Sequence, residues 1–216
     1  MVADGLKSAG GLLLGAVIVG YLANAWVAAP LVVLALFCLW FFRDPDRVIP
    51  EGDVAVSPAD GKVVLVKPMP DGRMRVSIFL NIFDVHVNRS PIGGVVRSVS
   101  YQPGKFVNAA FENASTENEQ NTLIVEADNG SLIEFSQIAG LIARRIVCYK
   151  KPGDRIKKGE RIGLIKFGSR MDVHFGSDWR VSVRAGERVS AGSSILPSSV
   201  PRKQEEPAMA LVHGPA

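Results

Sequence analysis

Hydrophobic and polar positions divide the chain into an apolar beginning, an alternating middle and a polar end. No residue from Gly10 to Phe42 is charged, and a helix that crosses a bilayer needs about 20 apolar residues. Asn24 and Pro30 interrupt this run, and proline removes a backbone donor and so favours a break or kink. A signal peptide is disfavoured, because the run is too long and ends in LWFFRDP, without a small-residue cleavage site. We therefore expect residues 1–47 to form a membrane-associated segment, either one tilted span or a shallow helical hairpin.

The middle of the chain, residues 48–197, alternates short apolar stretches with Gly, Pro, Asn and Asp. This pattern is typical of short strands joined by turns. It predicts one mainly β domain, of the β-rich α+β class, in which residues 104–119 form a short helix or a long loop. Residues 198–216 are rich in Pro, Ser, Ala and Glu, a composition that predicts a disordered tail.

A weak internal repeat lies late in this domain. The stretch KPGDRIKKGERIGLI (151–165) resembles VRAGERVSAGSSIL (183–196). Each has a Gly-acidic-Arg turn, a β-branched residue, and a second glycine before an apolar stretch. Paired hairpins of this kind are typical of hammerhead and lipoyl-like β structures, so we expect two similar hairpins packed face to face.

Charge and cysteine content narrow the classes of partner. The formal net charge is +4, which suits an anionic membrane surface or a phosphate-bearing substrate. The sequence has no dense basic patch with interleaved aromatic residues, so we expect no nucleic-acid partner. Cys38 and Cys148 lie in apolar stretches and lack the partners that a disulfide or a zinc site needs, so we expect no metal.

The tripeptide Phe167-Gly168-Ser169 lies where two alternating stretches meet, which predicts a turn between two strands. Gly168 can adopt backbone angles that are closed to other residues. This freedom lets the Ser169 hydroxyl fold back towards the carbonyl carbon of Gly168 and attack its own peptide bond. A plain turn is the alternative, since Gly-Ser is a common turn dipeptide.

Two further motifs supply the groups that such a serine needs. A hydroxyl is a weak nucleophile that requires a base, and the base requires an orienting acceptor. His86 lies in NIFDVHVNRSP (81–91) and Asp60 lies in SPADG (57–61). We predict that Asp60 orients His86 and that His86 is the base for Ser169. The alternatives are a core histidine and a simple hairpin corner.

Five segments of the chain carry a family resemblance; in chain order they are FFRDPDR, SPADG, FDVHVNRSP, AGLIARRIV and KFGSRMDV. They resemble, in the same order, segments of phosphatidylserine decarboxylase proenzymes of the short bacterial and archaeal type. The resemblance covers nearly the whole chain apart from the tail. It implies self-cleavage between Gly168 and Ser169 into fragments 1–168 and 169–216, which form a heterodimer. It also implies that Ser169 becomes a covalent pyruvoyl group, the cofactor that carries the decarboxylation of phosphatidylserine to phosphatidylethanolamine.

The same resemblance implies phosphatidylserine and membrane lipid as partners, at the inner cell membrane with the domain on the cytoplasmic side. It leaves higher oligomers open. It also leaves the phosphate-binding residues open, with Arg89, Arg144 and Arg145 as candidates. A related ether lipid with a serine headgroup is an alternative substrate.

The chain departs from the family's pattern at three places. Longer bacterial members carry an additional histidine three positions before His86, where this chain has Phe83. The signature Asn-Glu-Arg is Asn-Glu-Gln at 118–120, and the Gly-Ser pair is followed by Arg170 rather than threonine. A role of the additional histidine in decarboxylation therefore does not transfer to this chain.

Two functions of other classes can be weighed against this one. A membrane-anchored lipoyl-like adaptor would fit the hairpin repeat, but the chain lacks the Met-Lys-Met hairpin of a carrier. A membrane serine hydrolase would use Ser169 and His86, but the Gly-x-Ser-x-Gly setting is missing. The pair Gly192-Ser193 lies within the second repeat, which disfavours it as a cleavage site.

Overall fold

The computed structural model describes residues 2–141, 145–166 and 168–199. Phe167, Arg144 and the predicted tail from residue 200 onward lie outside this part of the chain. Within it, antiparallel strands form most of the domain that follows the apolar beginning. The predicted mainly β class is confirmed.

The apolar beginning forms a hairpin of two helices, α1 (Ala3–Leu22) and α2 (Ala25–Phe41). The break falls at Asn24, because its side-chain oxygen accepts the Val27 amide at 3.1 Å and caps α2. Helix α2 continues through Pro30. The Val2 amide donates to the Phe42 carbonyl at 3.3 Å, so the two ends of the hairpin meet. Of the described helices, α1 alone is long and apolar enough to cross a membrane.

The rest of the described chain forms fourteen strands and one short helix. In chain order these are β1 (Val54–Val56), β2 (Gly61–Pro68), β3 (Met74–Leu80), β4 (Val87–Arg89), β5 (Gly94–Gln102), α3 (Ala114–Glu117), β6 (Gln120–Glu126), β7 (Leu132–Ile138), β8 (Ile146–Cys148), β9 (Arg155–Ile156), β10 (Arg161–Ile165), β11 (Ser169–Phe175), β12 (Trp179–Val181), β13 (Arg188–Val189) and β14 (Ile195–Ser199). Helix α3 lies within the segment predicted as a short helix or long loop. Strand β14 extends two residues past the predicted domain end, because Ser198 pairs with both Val54 and Arg180.

The strand order reads as two equivalent halves. The eight-stranded sheet has the order β13-β2-β3-β11-β7-β6-β5-β9, and two three-stranded sheets have the orders β1-β14-β12 and β4-β10-β8. The order is symmetric about its centre, so each strand of one half has a counterpart in the other: β13 corresponds to β9, β2 to β5, β3 to β6, and β11 to β7. The second half is one continuous segment, β4 to β10, inserted between β3 and β11 of the first half.

Matching turns confirm this correspondence. The Gly192 amide donates to the Ser57 carbonyl at 2.8 Å, and the Gly159 amide donates to the Ser90 carbonyl at 2.8 Å. Gly192 and Gly159 are the second glycines of the two repeats found in the sequence. The predicted hairpin repeat is thus part of a larger duplication that also includes the Ser-Pro turns at 57–58 and 90–91.

The predicted cleavage site lies where the other half has a hairpin turn. Strands β6 and β7 are joined by a tight turn in which the Ala127 amide donates to the Ser131 carbonyl at 2.9 Å. The equivalent strands β3 and β11 are separated by the whole inserted half, and β11 begins at Ser169, paired with Leu80. A cut before Ser169 therefore interrupts no strand.

Buried ion pairs hold the apolar hairpin to the domain. The Asp44 side chain is fully buried and pairs with Arg89 at 2.7 Å and with Arg161. Three residues further on, Arg47 pairs with Asp60 at 2.9 Å. Since a buried carboxylate is stable only when it is paired, the FFRDPDR segment is fixed to β4, β10 and the SPADG turn. This attachment places the end of α2 beside the predicted reactive residues.

Candidate active site between the two halves

The Ser169 hydroxyl is a buried polar group at the predicted cleavage site. Ser169 is fully buried, and its Oγ has no hydrogen-bond partner among the residues that the structure describes. Gly168, the residue before it, has a φ of 54°, in the left-handed region that glycine adopts without strain. Buried hydroxyls are normally hydrogen-bonded. An unpaired Oγ next to a glycine in this conformation marks Ser169 as a candidate reactive residue.

His86 presents a basic nitrogen to the same peptide segment. Its Nδ1 donates to the Asp84 carbonyl at 2.9 Å, and because a carbonyl only accepts, the ring proton is on Nδ1. The lone pair on Nε2 accepts the Gly168 amide at 3.3 Å. His86 itself is only 2 % exposed. The structure therefore brings the predicted base into contact with the residue before the predicted nucleophile.

The protonation state of His86 follows from its surroundings. Burial lowers the pKa of His86 to about 4; the hydrogen bond to the Asp84 carbonyl and the charge of Asp60 act in the raising direction, and the charge of Arg43 lowers it further. At neutral pH the imidazole is uncharged, which is the form that can accept a proton.

The Asp60 side chain forms hydrogen bonds with Ala191 and Arg47, and not with His86 as the sequence predicts. One carboxylate oxygen accepts the Ala191 amide at 2.7 Å, and the side chain accepts Arg47 at 2.9 Å. The predicted hydrogen bond from Asp60 to the imidazole is not formed, because Arg47 offers a charge-assisted bond and Asp84 already occupies Nδ1. Asp60 influences His86 through its charge, which acts to raise the pKa of the imidazole. Its role in catalysis stays a prediction.

The site lies between the helical hairpin and a small cavity. The His86 ring packs on Phe41, the last residue of α2, with 4.2 Å between ring centroids. Gly168 also lines a cavity of about 170 Å³, together with Phe79, Asn108, Ala109 and Leu141. A group that enters this cavity comes close to the predicted scissile bond.

The structure adds a positioning network that sequence reasoning missed. Arg170 is 1 % exposed and donates to Asp172 at 2.6 Å and to Ser77 at 2.6 Å. These bonds fix β11 immediately after Ser169. Alternate charged residues in the buried stretch SRMDV are the signal that could have revealed this pair. No sequence signal indicates that the Asp84 carbonyl binds His86, since a residue of any type has a backbone carbonyl.

The candidate phosphate-binding residues and Phe83 do not share one site. Arg89 is buried and bound to Asp44 and to the Gly159 carbonyl at 3.0 Å, an arrangement that suits a structural role. Arg145 is exposed. Phe83, at the position of the additional histidine of longer members, is 70 % exposed and packs edge-on against Trp40. Among the described residues, no group of three or more His, Cys, Asp or Glu side chains could hold a metal ion.

Fold and site together define a β-rich domain on an apolar helical hairpin, with a buried histidine that contacts the residue before a buried serine. Residues 34–197 match the family model of phosphatidylserine decarboxylase. A phosphatidylserine decarboxylase proenzyme of Solibacter usitatus is 59 % identical over 94 % of this chain and 98 % of its own. Proenzymes of the same name from Oleidesulfovibrio alaskensis and Magnetococcus marinus are 47 % and 51 % identical, over 92 % and 74 % of this chain and 92 % and 77 % of theirs. The chain belongs to the phosphatidylserine decarboxylase family of enzymes.

Proposed function

We propose that this chain decarboxylates phosphatidylserine to phosphatidylethanolamine with a pyruvoyl group that it makes from Ser169 by cleaving its own Gly168–Ser169 bond. The observation that carries the proposal is the contact between His86 Nε2 and the Gly168 amide, beside a buried Ser169 hydroxyl that has no partner in the described part of the chain. The full burial of Ser169 favours an intramolecular reaction over attack on a separate substrate. The relatives' name, proenzyme, agrees with a precursor that is processed.

In the first step, His86 Nε2 takes the hydroxyl proton as Ser169 Oγ bonds to the Gly168 carbonyl carbon. The bond from that carbon to the Ser169 nitrogen breaks, and the nitrogen takes up the proton. The product is an ester between Gly168 and the Ser169 side chain. Nε2 now accepts the Gly168 amide at 3.3 Å, so it would exchange this contact for one with the hydroxyl of the next residue.

In the second step, loss of the Ser169 α-proton breaks the bond between Cβ and Oγ. Gly168 leaves as a carboxylate, and residue 169 becomes dehydroalanine. Addition of water and release of ammonia leave a pyruvoyl end on the fragment that begins at position 169. At residue 169, a pyruvoyl ketone would supply an electrophile for the substrate amine and an electron sink for the loss of carbon dioxide.

The two fragments stay together because the strands interleave. Strand β11 lies between β3 and β7 and pairs with both along most of its length. Strand β14 likewise pairs with β1, and β13 with β2. Fragment 169–216 would therefore remain bound to fragment 1–168 after the cut, as a heterodimer.

The helical hairpin supports a lipid substrate. Phe41 of α2 contacts His86, so the reacting centre lies one side chain away from the apolar helices. A lipid anchored in the bilayer could present its headgroup to the cavity beside Gly168. We place the enzyme at the inner membrane, with the domain on the cytoplasmic side. An ether lipid with a serine headgroup would carry the same reacting amine and carboxylate.

The experiment that tests the proposal compares Ser169→Ala with Ser193→Ala. Ser193 belongs to the other Gly-Ser pair and lies in a turn of the second repeat. Wild type and Ser193→Ala should give two fragments on a denaturing gel and release carbon dioxide from phosphatidylserine in vesicles. Ser169→Ala should remain one inactive chain. An uncut wild-type chain that decarboxylates would refute the proposal, and assays with ester and ether lipids would decide the backbone preference.

A further inference from the structure

The carbonyl of the predicted scissile bond lies against Gly140 in a contact that leaves no room for a side chain. A Cβ built on Gly140 would collide with the carbonyl oxygen of Gly168, far inside van der Waals contact. It would also lie 3.2 Å from the Cβ of Ala109. Gly140 is thus enclosed between the scissile carbonyl and a residue that is itself 1 % exposed.

Hydrogen bonds hold the backbone immediately before Gly140. The Ala139 carbonyl accepts the buried Asn118 side chain at 2.7 Å, and the Ala139 amide donates to the Glu119 carbonyl at 2.9 Å. Asn118 also exchanges two hydrogen bonds with Val107, at 2.8 and 2.9 Å. These bonds join the segment that carries Ala109 to the residue before Gly140. These bonds oppose a movement of residue 139 and the Ala109 segment that would make room for a Cβ at position 140.

We infer that Gly140 is a positioning residue for self-cleavage, because its bare Cα sets the orientation of the Gly168 carbonyl that Ser169 attacks. This inference rests on the proposed function and adds to it a residue that supplies no reacting group. Gly140 has an ordinary backbone conformation, since its φ lies outside the left-handed range. Its φ does not exclude alanine, and the nearest described atoms that oppose a Cβ there are the Gly168 carbonyl and the Ala109 Cβ.

The size of the effect can be estimated from the overlap. Alanine at position 140 would push the carbonyl aside by about 1 Å, and a misplacement of this size at a reacting group can cost about a hundredfold in rate. The self-cleavage of Gly140→Ala should therefore be slower than that of wild type by about two orders of magnitude. Fully processed enzyme should need no such alignment, since the Gly168 bond has been cut.

Gly163 offers a matched control. A Cβ on Gly163 would collide with the Val147 carbonyl as severely as one on Gly140 collides with the Gly168 carbonyl. Gly163 also lacks a left-handed φ, but it lies on β10 and contacts no atom of the scissile bond. Gly163→Ala therefore imposes the same kind of strain elsewhere in the domain.

The test is a pulse-chase of cell-free synthesised full-length chain with vesicles of phosphatidylserine and phosphatidylcholine, followed on a denaturing gel. Portions treated briefly with hydroxylamine at neutral pH, which cleaves an ester and leaves the Asn129–Gly130 peptide bond intact, report the first step. Gly140→Ala should keep a cooperative thermal transition, form fragments about a hundredfold more slowly, and yield no additional fragments with hydroxylamine. Gly163→Ala should process within a fewfold of wild type.

Each result decides the matter. Processing of Gly140→Ala at the wild-type rate, or equal slowing in both alanine variants, would overturn the inference. An ester that accumulates in Gly140→Ala would also overturn it, since the attack would then be intact. If Gly140→Ala fails to fold, Ala109→Val, which presses on Gly140 from the other side, must slow the first step for the inference to stand. A wild-type chain that never processes would instead refute the proposed function.

Discussion

Asp60 and Gly93 occupy equivalent positions in the two halves of the domain, and only Asp60 carries a side chain there. Each follows a Ser-Pro turn and precedes the first residue of a strand, β2 or β5. The Asp60 carboxylate accepts the Ala191 amide at 2.7 Å. In the other half, a Cβ on Gly93 would lie 3.3 Å from the Lys158 amide. The half that has the carboxylate is the half that begins β11 with a serine.

This comparison suggests two substitutions that separate the structural and catalytic roles of Asp60. Asp60→Gly copies the other half, and removes the bonds to Arg47 and Ala191. It should lower the free energy of unfolding by about 2 kcal/mol, the typical value of a charge-assisted hydrogen bond. Asp60→Asn can still accept the Ala191 amide, so its stability should lie closer to that of wild type.

Both variants should process at least tenfold more slowly than wild type, because the charge that favours proton uptake by His86 is lost. Thermal denaturation measures the first effect and gel-based processing the second. Asp60→Asn that processes at the wild-type rate would show that Asp60 only holds the fold together.

The pH dependence of processing tests the state of His86. With a pKa of about 4, the imidazole is already neutral above about pH 5. The rate of self-cleavage should be constant from there to pH 8, and should fall about tenfold per unit below pH 4. If His86 instead had an ordinary pKa near 6.5, the rate of self-cleavage would already decrease below pH 6.5. Pulse-labelled chain transferred to buffers of different pH gives the profile, and a midpoint near 6.5 would contradict the burial of His86.

The same shift has a consequence for stability. A histidine whose pKa is lowered in the folded state leaves stability intact above its unfolded pKa of about 6.5. As the pH falls from there to about 4, the unfolded chain binds a proton that the folded chain does not, and stability decreases. The loss from His86 is on the order of 3 kcal/mol. Wild type should therefore lose more free energy of unfolding between pH 7 and pH 4 than His86→Gln, and equal losses would contradict the shift.

Phe83 should matter for access to lipid rather than for chemistry. It is 70 % exposed beside Trp40, and Arg43 donates to its carbonyl at 2.6 Å while lying over the Trp40 ring. Aromatic and basic side chains of this kind favour the headgroup region of a bilayer. Phe83→Ser should lower activity on phosphatidylserine vesicles several-fold and leave activity on a soluble short-chain phosphatidylserine unchanged.

Tyr101→Ser is the matched control for Phe83, since Tyr101 is 60 % exposed on β5 and has no contact with α2 among the described ring contacts. It should leave both activities near wild type. Equal losses of Phe83→Ser on vesicles and on the short-chain lipid would assign Phe83 to the reaction itself.

The sequence predicted the elements whose signals are local. Charge-free length predicted the apolar helices, and alternation with Gly and Pro predicted the strands. The hairpin repeat is evident in the sequence, whereas the larger duplication is evident only in the strand order, although both halves contain a Ser-Pro turn followed by a glycine that begins a strand. The sequence predicts a break or kink at Pro30, whereas in the structure the first helix ends before Asn24, which caps the second.

The contacts of the site could not be predicted in the same way. The motifs named Asp60, His86 and Ser169, and the structure brings His86 to Gly168 while Asp60 binds Arg47. The backbone carbonyl of Asp84 accepts the hydrogen bond from the His86 imidazole. Any amino acid at position 84 would provide this carbonyl, so the sequence cannot reveal the contact. A side chain at position 140 would collide with the carbonyl oxygen of Gly168, which is distant in sequence. This proximity is seen only in the folded chain.

The central claim is that the chain cuts itself before Ser169 and turns that residue into a ketone. Intact mass spectrometry of the purified protein, with and without cyanoborohydride and phosphatidylserine, tests it most directly. The fragment 169–216 should be lighter than its serine-ended form by one ammonia, and should gain the mass of a reduced lipid adduct. A single full-length mass, or a fragment that begins with an unmodified serine and traps no lipid, would contradict the account.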